Sequence, residues 1–316
     1  MKPLANGQPA VETNKNTAFY AAMAPALFVL LWSTGFIGAK FGLPYAEPFT
    51  FLLARFVIAA CLLYLFVILR KKSRWPTNLS MVGHIAIAGL LLHAGYLGAV
   101  FAAIAYGMSA GLSALIVSLQ PILTAIFAQI ILRETVNKRQ WLGLILGLAG
   151  VSLVVISRMG IGNDTVISSL PFITVFLCIF GLLSITFGSL YQKKFCADMP
   201  VASGTAIQYS ASAVAMLILA LLFETMHIDW AGEFIFALSW LILVLSFGAV
   251  ALLIFLIRQN AASKLASMFY LVPPVTAIEA YFLFGEKLEP MAFIGMFITV
   301  IGVALVVIKT RAKQSS

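Results

Sequence analysis

The stretch PPVTAIEAYFLFGE, residues 273–286, repeats PILTAIFAQIILRE, residues 121–134, at an offset of 152 residues. The same offset aligns GLAGVSLVVI (147–156) with TVIGVALVVI (299–308), and over residues 110–156 and their partners 16 of 47 positions are identical. Unrelated apolar helices share aliphatic residues by composition alone. They do not share a proline, a threonine, a glutamate and two glycines in register, as Pro121/Pro273, Thr124/Thr276, Glu134/Glu286, Gly143/Gly295 and Gly150/Gly302 do. The chain is read as a duplication.

Working outward, a mean hydropathy of +1.05, with 62% hydrophobic and 10% charged residues, excludes a soluble fold. Ten apolar stretches stand near 19–40, 48–70, 81–106, 111–132, 140–157, 169–192, 201–223, 235–257, 264–284 and 291–308. Each is long enough to cross a hydrocarbon core of roughly 30 Å at about 1.5 Å per residue. The reading is an all-α integral membrane protein of ten transmembrane helices in two five-helix repeats, 19–157 and 169–308, with a disordered polar tail at 1–18 and a basic tail at 309–316. Five is odd, so the second repeat enters the membrane inverted. Inverted repeats are the architecture with which secondary transporters expose a midplane site to each side in turn.

With the N-terminus inside, sixteen of the twenty basic residues fall on the inner side and only Lys40, Arg158 and Lys287 on the outer, Arg55 being within a span. Both termini are therefore expected in the cytoplasm. The net charge of +9 orients the chain in a lipid bilayer and is not a nucleic-acid footprint. Residues 1–18 run into a full-length span without a short apolar core or cleavage site, so a signal peptide is not expected. Cys61, Cys178 and Cys196 form no C-x-x-C pair. His84, His93 and His227 lack metal-ligand spacing, and no catalytic, nucleotide or metal motif occurs, so the chain is read as a non-enzyme without cofactor that must run on a gradient.

Charges inside spans cost about 2.5–3.5 kcal/mol each on insertion scales and need partners. Arg55 lies seven residues into the second stretch and Glu279 five from the end of the ninth, hence at matching depths of roughly 8–10 Å from the outer side. The expectation is that they share a polar region, as a direct pair or across a water-filled vestibule, with Glu279 serving either proton coupling or a static pair. Lys40 can snorkel its ammonium to the headgroups. Pro121 and Pro273 fall near the midplane and should disturb the carbonyls of Val117 and Phe269. Trp32, Ser33, His93, Tyr96, Gln120, Ser184, Tyr191 and Tyr270 are candidates to line a central pocket, each with a packing role as the alternative. Gly143, Gly147 and Gly150 form a stripe for close helix packing, and Glu134 and Glu286 a shared turn.

The string LLWSTGFIGAKFGLPYAEPFTFLLARF (30–56) and the duplicated P…E…G…G spacing resemble the drug/metabolite transporter superfamily, EamA type. The resemblance spans about residues 20–309 and includes Lys40, Arg55, Pro121 and Pro273 at positions of the family's recurring motif. It implies a multi-pass protein of the bacterial inner membrane, monomer or homodimer, that moves small-molecule substrates by alternating access, often outward. For Lys40 the resemblance raises the alternatives that it closes an outer gate against Glu279 or meets an anionic group. Many members carry an apolar residue where Glu279 stands. The function read here is a secondary active exporter of amino-acid-like or drug-like metabolites. The alternatives are an uncoupled facilitator or exchanger and a non-transporting structural or lipid-handling subunit.

Overall fold

Proline and glycine punctuation sets the helix limits. Pro48 opens one helix at a position where its missing N–H is no loss. The Asn78 side chain accepts from Ser80 N (2.9 Å) at the start of the next. Gly107, with φ +102°, turns the chain between two more, and the Ser109 hydroxyl then accepts from Leu112 N (3.2 Å). The computed structural model describes residues 15–70, 75–76, 78–132, 137–158, 172–249, 252, 272–285 and 290–307.

The described elements are nearly all helical: α1 Lys15–Gly42, α2 Pro48–Leu69, α3 Leu79–Gly89, α4 Tyr96–Ala105, α5 Ala110–Val117, α6 Gln120–Leu132, α7 Lys138–Arg158, α8 Phe172–Phe195, α9 Val201–Phe223, α10 Gly232–Trp240, α11 Val272–Phe284 and α12 Pro290–Val307. Two π-helical segments intervene, π1 at Leu90–Gly95, joining α3 to α4, and π2 at Leu241–Ala249, continuing α10. By length and composition six helices can cross a membrane: Pro48–Leu69, Leu79–Ala105, Ala110–Ile131, Phe172–Phe195, Val201–Phe223 and Gly232–Ala249. Ala26–Gly42, Trp141–Gly150, Val272–Phe284 and Pro290–Gly302 are shorter apolar helices.

The side-chain distribution inverts that of a soluble protein. Leu65, Ile68, Leu69, Phe172, Leu221, Leu222, Phe223 and Phe282 are exposed, whereas Ser33, Arg55, Ser113, Thr186, Gln208, Ser212 and Thr276 are buried. Helices in hydrocarbon gain little by hiding leucine and much by giving polar groups a partner. Close approach substitutes for hydrophobic burial at the α7–α12 crossing. A Cβ at Gly150 would lie 2.5 Å from Gly295 O and from Thr299 Oγ1, and one at Gly302 would meet the backbones of Gly147 and Gly143. The repeat-equivalent glycines thus pack reciprocally.

Helices α2 and α9 lie along each other and are tied at both ends. At one end Tyr64 Oη and Ser210 Oγ are 3.0 Å apart, with Tyr64 stacked on Trp75. At the other, Glu224 accepts from Phe49 N, Thr50 N and Thr50 Oγ1, each at 2.7 Å, while Glu47 accepts from Thr225 N (2.7 Å) and Thr225 Oγ1 (2.8 Å). Asp229 N donates to Tyr45 O (2.8 Å) beside an antiparallel bridge between Ala46 and Ile228.

Candidate functional site

The candidate site is built around Arg55, on α2 seven residues beyond Pro48 and only 5% exposed. Its Nη2 donates to Ser246 Oγ on π2 at 3.4 Å, a long bond, and its Nε is buried without a hydrogen-bond partner. Ser246 returns its own proton to Leu241 O (3.1 Å), five residues back, which is the wide turn of a π-helix. Tyr96, His93 and Tyr209 surround the guanidinium. The His93 ring lies 4.7 Å from that of Tyr209 and 6.0 Å from that of Phe56, and its Nε2 is also buried and unpaired. Phe56 and Tyr209 stack at 5.6 Å and 12°.

His93 owes its place to π1. The widened turn keeps a backbone bond from Tyr96 N to Leu91 O, five residues back, and two serine hydroxyls add donors to its carbonyls. Ser212 Oγ of α9 reaches Gly89 O at 3.0 Å, and Ser184 Oγ of α8 reaches Leu91 O at 2.9 Å. Gly95 and Gly89 allow this approach: a side chain at Gly95 would occupy the Ser184 hydroxyl's position, and one at Gly89 would meet the Gln208 backbone. Ser184 therefore props the π turn that positions His93 and Tyr96.

A second polar cluster lies on α1 and α11. Ser33 Oγ, also bonded to Leu30 O, donates to Glu279 Oε1 at 2.8 Å, and Glu279 Oε2 is buried without a partner. Ser33 takes Glu279 and Ser246 takes Arg55, so of the two expected arrangements, a direct Arg55–Glu279 pair or a shared vestibule, the direct pair is not formed. Each finds its partner on a different element, Glu279 on α1 and Arg55 on π2, because depth fixes height in a bundle and not azimuth. Thr276, one turn before Glu279, carries a buried unpaired Oγ1, and so does its repeat-equivalent Thr124. Helical hydroxyls ordinarily return to the carbonyl four residues back, as Thr186 does to Leu182 O (2.6 Å) and Thr299 to Gly295 O (2.8 Å).

The other candidates are more dispersed. Lys40 Nζ sits 4.7 Å over the Phe284 ring, seven residues along α1 from Ser33 and so roughly 10 Å further on. Trp32 packs on Phe28, ring centroids 5.3 Å apart. Gln120 Nε2 donates to Ser189 Oγ at 3.2 Å. Pro121 follows an interruption at Ser118–Leu119, where the Ser118 hydroxyl takes Leu115 O (2.6 Å), so the disturbance expected at Val117 ends α5 outright. Pro273 is the second residue of α11. Tyr191 bonds His84 Nδ1 at 2.7 Å, nine residues before His93 on the same span and so roughly 13 Å from it. Tyr270, Phe269, Glu134 and Glu286 lie outside the described residues.

Sequence reading did not single out Ser246, Tyr209, or Glu47 with Glu224. Ser246 is a lone hydroxyl in LILVLSFGAV and Tyr209 one of several polar residues in its helix, so neither stands out by pattern. Thr124 and Thr276 did leave a signal, as the one hydroxyl pair kept in the repeat core.

The chain matches the EamA-like transporter family over residues 19–156 and 172–308, one match in each repeat. It is similar to the uncharacterized transporter YvbV of Bacillus subtilis (strain 168), 28% identical over 302 residues that span 93% of this chain and 94% of that protein. It is also similar to the uncharacterized inner membrane transporter YedA of Escherichia coli (strain K12), 28% identical over 292 residues, 89% of each chain. A probable amino-acid metabolite efflux pump of Salmonella typhimurium (strain LT2) is 24% identical over 301 residues, 92% of this chain and 95% of that one. A solved crystal structure covering 91% of this chain and 97% of its own superposes with a TM-score of 0.64 at 17% identity, a likeness of fold alone. The chain belongs to the EamA-like transporter family and is a multi-pass membrane transporter of that type.

Proposed function

We propose that this protein is a secondary active exporter of small metabolites, working by alternating access between two inverted five-helix halves in the bacterial inner membrane. The observation that carries this reading is the set of buried polar atoms without partners. Arg55 Nε, His93 Nε2 and Thr124 Oγ1 come from the first family repeat, and Thr276 Oγ1 and Glu279 Oε2 from the second. Unpaired polar groups in an apolar interior are costly and persist where a solute or water meets them. Their origin in both repeats supports a path between the halves.

The reciprocal packing of Gly150 and Gly302 is what a two-fold relation between the halves would produce. Taking the four shorter apolar helices as spans brings the count to ten. Arg70, Lys193 and Lys194 are exposed at the Tyr64–Tyr191 end, which supports assigning that end, with both termini, to the cytoplasm. The similarity to a probable amino-acid metabolite efflux pump of Salmonella supports amino-acid-like solutes and export. Glu279, unpaired at Oε2, is the candidate proton carrier.

Everted vesicles containing the protein test the proposal. Uptake of amino-acid-like solutes should rise when a pH gradient is imposed and fall when it is collapsed. Equal flux in both conditions would establish the uncoupled facilitator, and no flux of any solute would refute transport.

A further inference from the structure

We infer that Arg55 and His93 form the receptor for a carboxylate on the transported solute, so that the substrates are small organic acids or zwitterions with a free carboxylate, not amines or neutral drugs. The inference rests on the transporter reading and adds the chemical group that the central site selects.

Arg55 stays protonated in proteins and here is buried. Of the eleven acidic residues only Glu279 falls inside an apolar stretch, and Glu279 is bonded to Ser33. Residues 250–271 contain no acid. Among the described residues the guanidinium thus has one weak neutral hydrogen bond, to Ser246, where a buried charge ordinarily has a carboxylate. An anionic occupant supplies the missing counter-charge.

A guanidinium recognises a carboxylate edge-on, through two parallel N–H donors, and on the edge that Arg55 forms with Nε and Nη2, Nε is unpaired and Nη2 makes only the long bond to Ser246. The imidazole beside it offers Nε2, also unused and buried, as a further donor in the appropriate tautomer. One guanidinium and one imidazole match a single negative charge better than a phosphate dianion, which calls for a second fixed cation. Both donors stand on deliberate irregularities, Arg55 against π2 and His93 within π1, held there by Ser246 and by Ser184 with Ser212. The helix is widened where His93 sits and where Ser246 meets Arg55.

The test uses the full-length protein in nanodiscs and proteoliposomes. In ligand-free nanodiscs Arg55→Met should raise the unfolding temperature, since it removes a buried charge that has no carboxylate partner among the described residues; a structural arginine would give a fall or a failure to fold, and that result overturns the proposal. In counterflow, free amino acids should exchange at least about tenfold better than their C-terminal amides. Arg55→Lys, which keeps the charge but loses the planar fork, should narrow this preference, and Arg55→Met should abolish it. Amides moving as well as acids, or a preference surviving in Arg55→Met, would overturn the carboxylate site while leaving transport standing. Movement only of cationic drugs would do the same, and a panel in which nothing moves or binds would end both readings.

Discussion

Replacing Glu224 by alanine removes the acceptor of three hydrogen bonds at 2.7 Å that hold the start of α2 to the end of α9. The reciprocal pair, Glu47 with Thr225, would remain. Buried charge-assisted bonds contribute about 1.5–3 kcal/mol each, but this rim is partly solvated and the freed amides of Phe49 and Thr50 can turn to water. The relevant scale is therefore loss of a helix cap, about 0.5–2 kcal/mol. If the clasp exists only while this face is closed, a loss of one to two kcal/mol shifts the closed-to-open ratio roughly 5- to 30-fold. Spin labels at Pro44 and His227, on the two loops the clasp joins, would read this in a background without Cys61, Cys178 and Cys196, since both positions are exposed. The native protein should give one short distance, Glu224→Ala a second and longer population, and Glu47→Ala combined with Glu224→Ala a larger one. An unchanged distribution in the double variant would refute the clasp as the element that holds this face shut.

Gly302→Ala should lower the unfolding temperature, because its Cβ meets the backbones of Gly147 and Gly143, which cannot yield, at an overpacking cost of about 1–3 kcal/mol. Gly83→Ala, with nothing within 4 Å of the new Cβ, should be neutral or stabilising by up to about 1 kcal/mol; differential scanning of both in one lipid composition checks the contrast. Ser184→Ala removes the side-chain bond to Leu91 O, which keeps its backbone bond from Tyr96 N, and should cost about 0.5–1.5 kcal/mol, with a matching loss of transport because π1 carries His93. Glu279→Gln keeps an acceptor for Ser33 but cannot carry a proton, so flux in everted vesicles should lose its response to a pH gradient; a retained response would assign Glu279 a static role.

The sequence by itself determined that the chain is a helical membrane protein with a duplicated unit, because both facts are written one-dimensionally, in hydropathy and in residues kept at a fixed offset. It also marked Arg55, His93 and Glu279 as the residues that need explaining, since charge and imidazole in an apolar span carry a cost wherever the span packs. The glycine stripe was legible for the same reason: spacing along one helix fixes which residues share a face. The partners were decided only by the tertiary structure. Depth along a helix axis can be counted, whereas the angle at which a side chain leaves the helix, and the neighbour it meets, depend on how the helices pack. Thus Arg55 reached Ser246 and Glu279 reached Ser33, two hydroxyls without distinguishing pattern, in place of each other. The π segments were hidden as well, for one extra residue per turn leaves no mark in composition, and the serines that stabilise π1 stand more than ninety residues away in the chain.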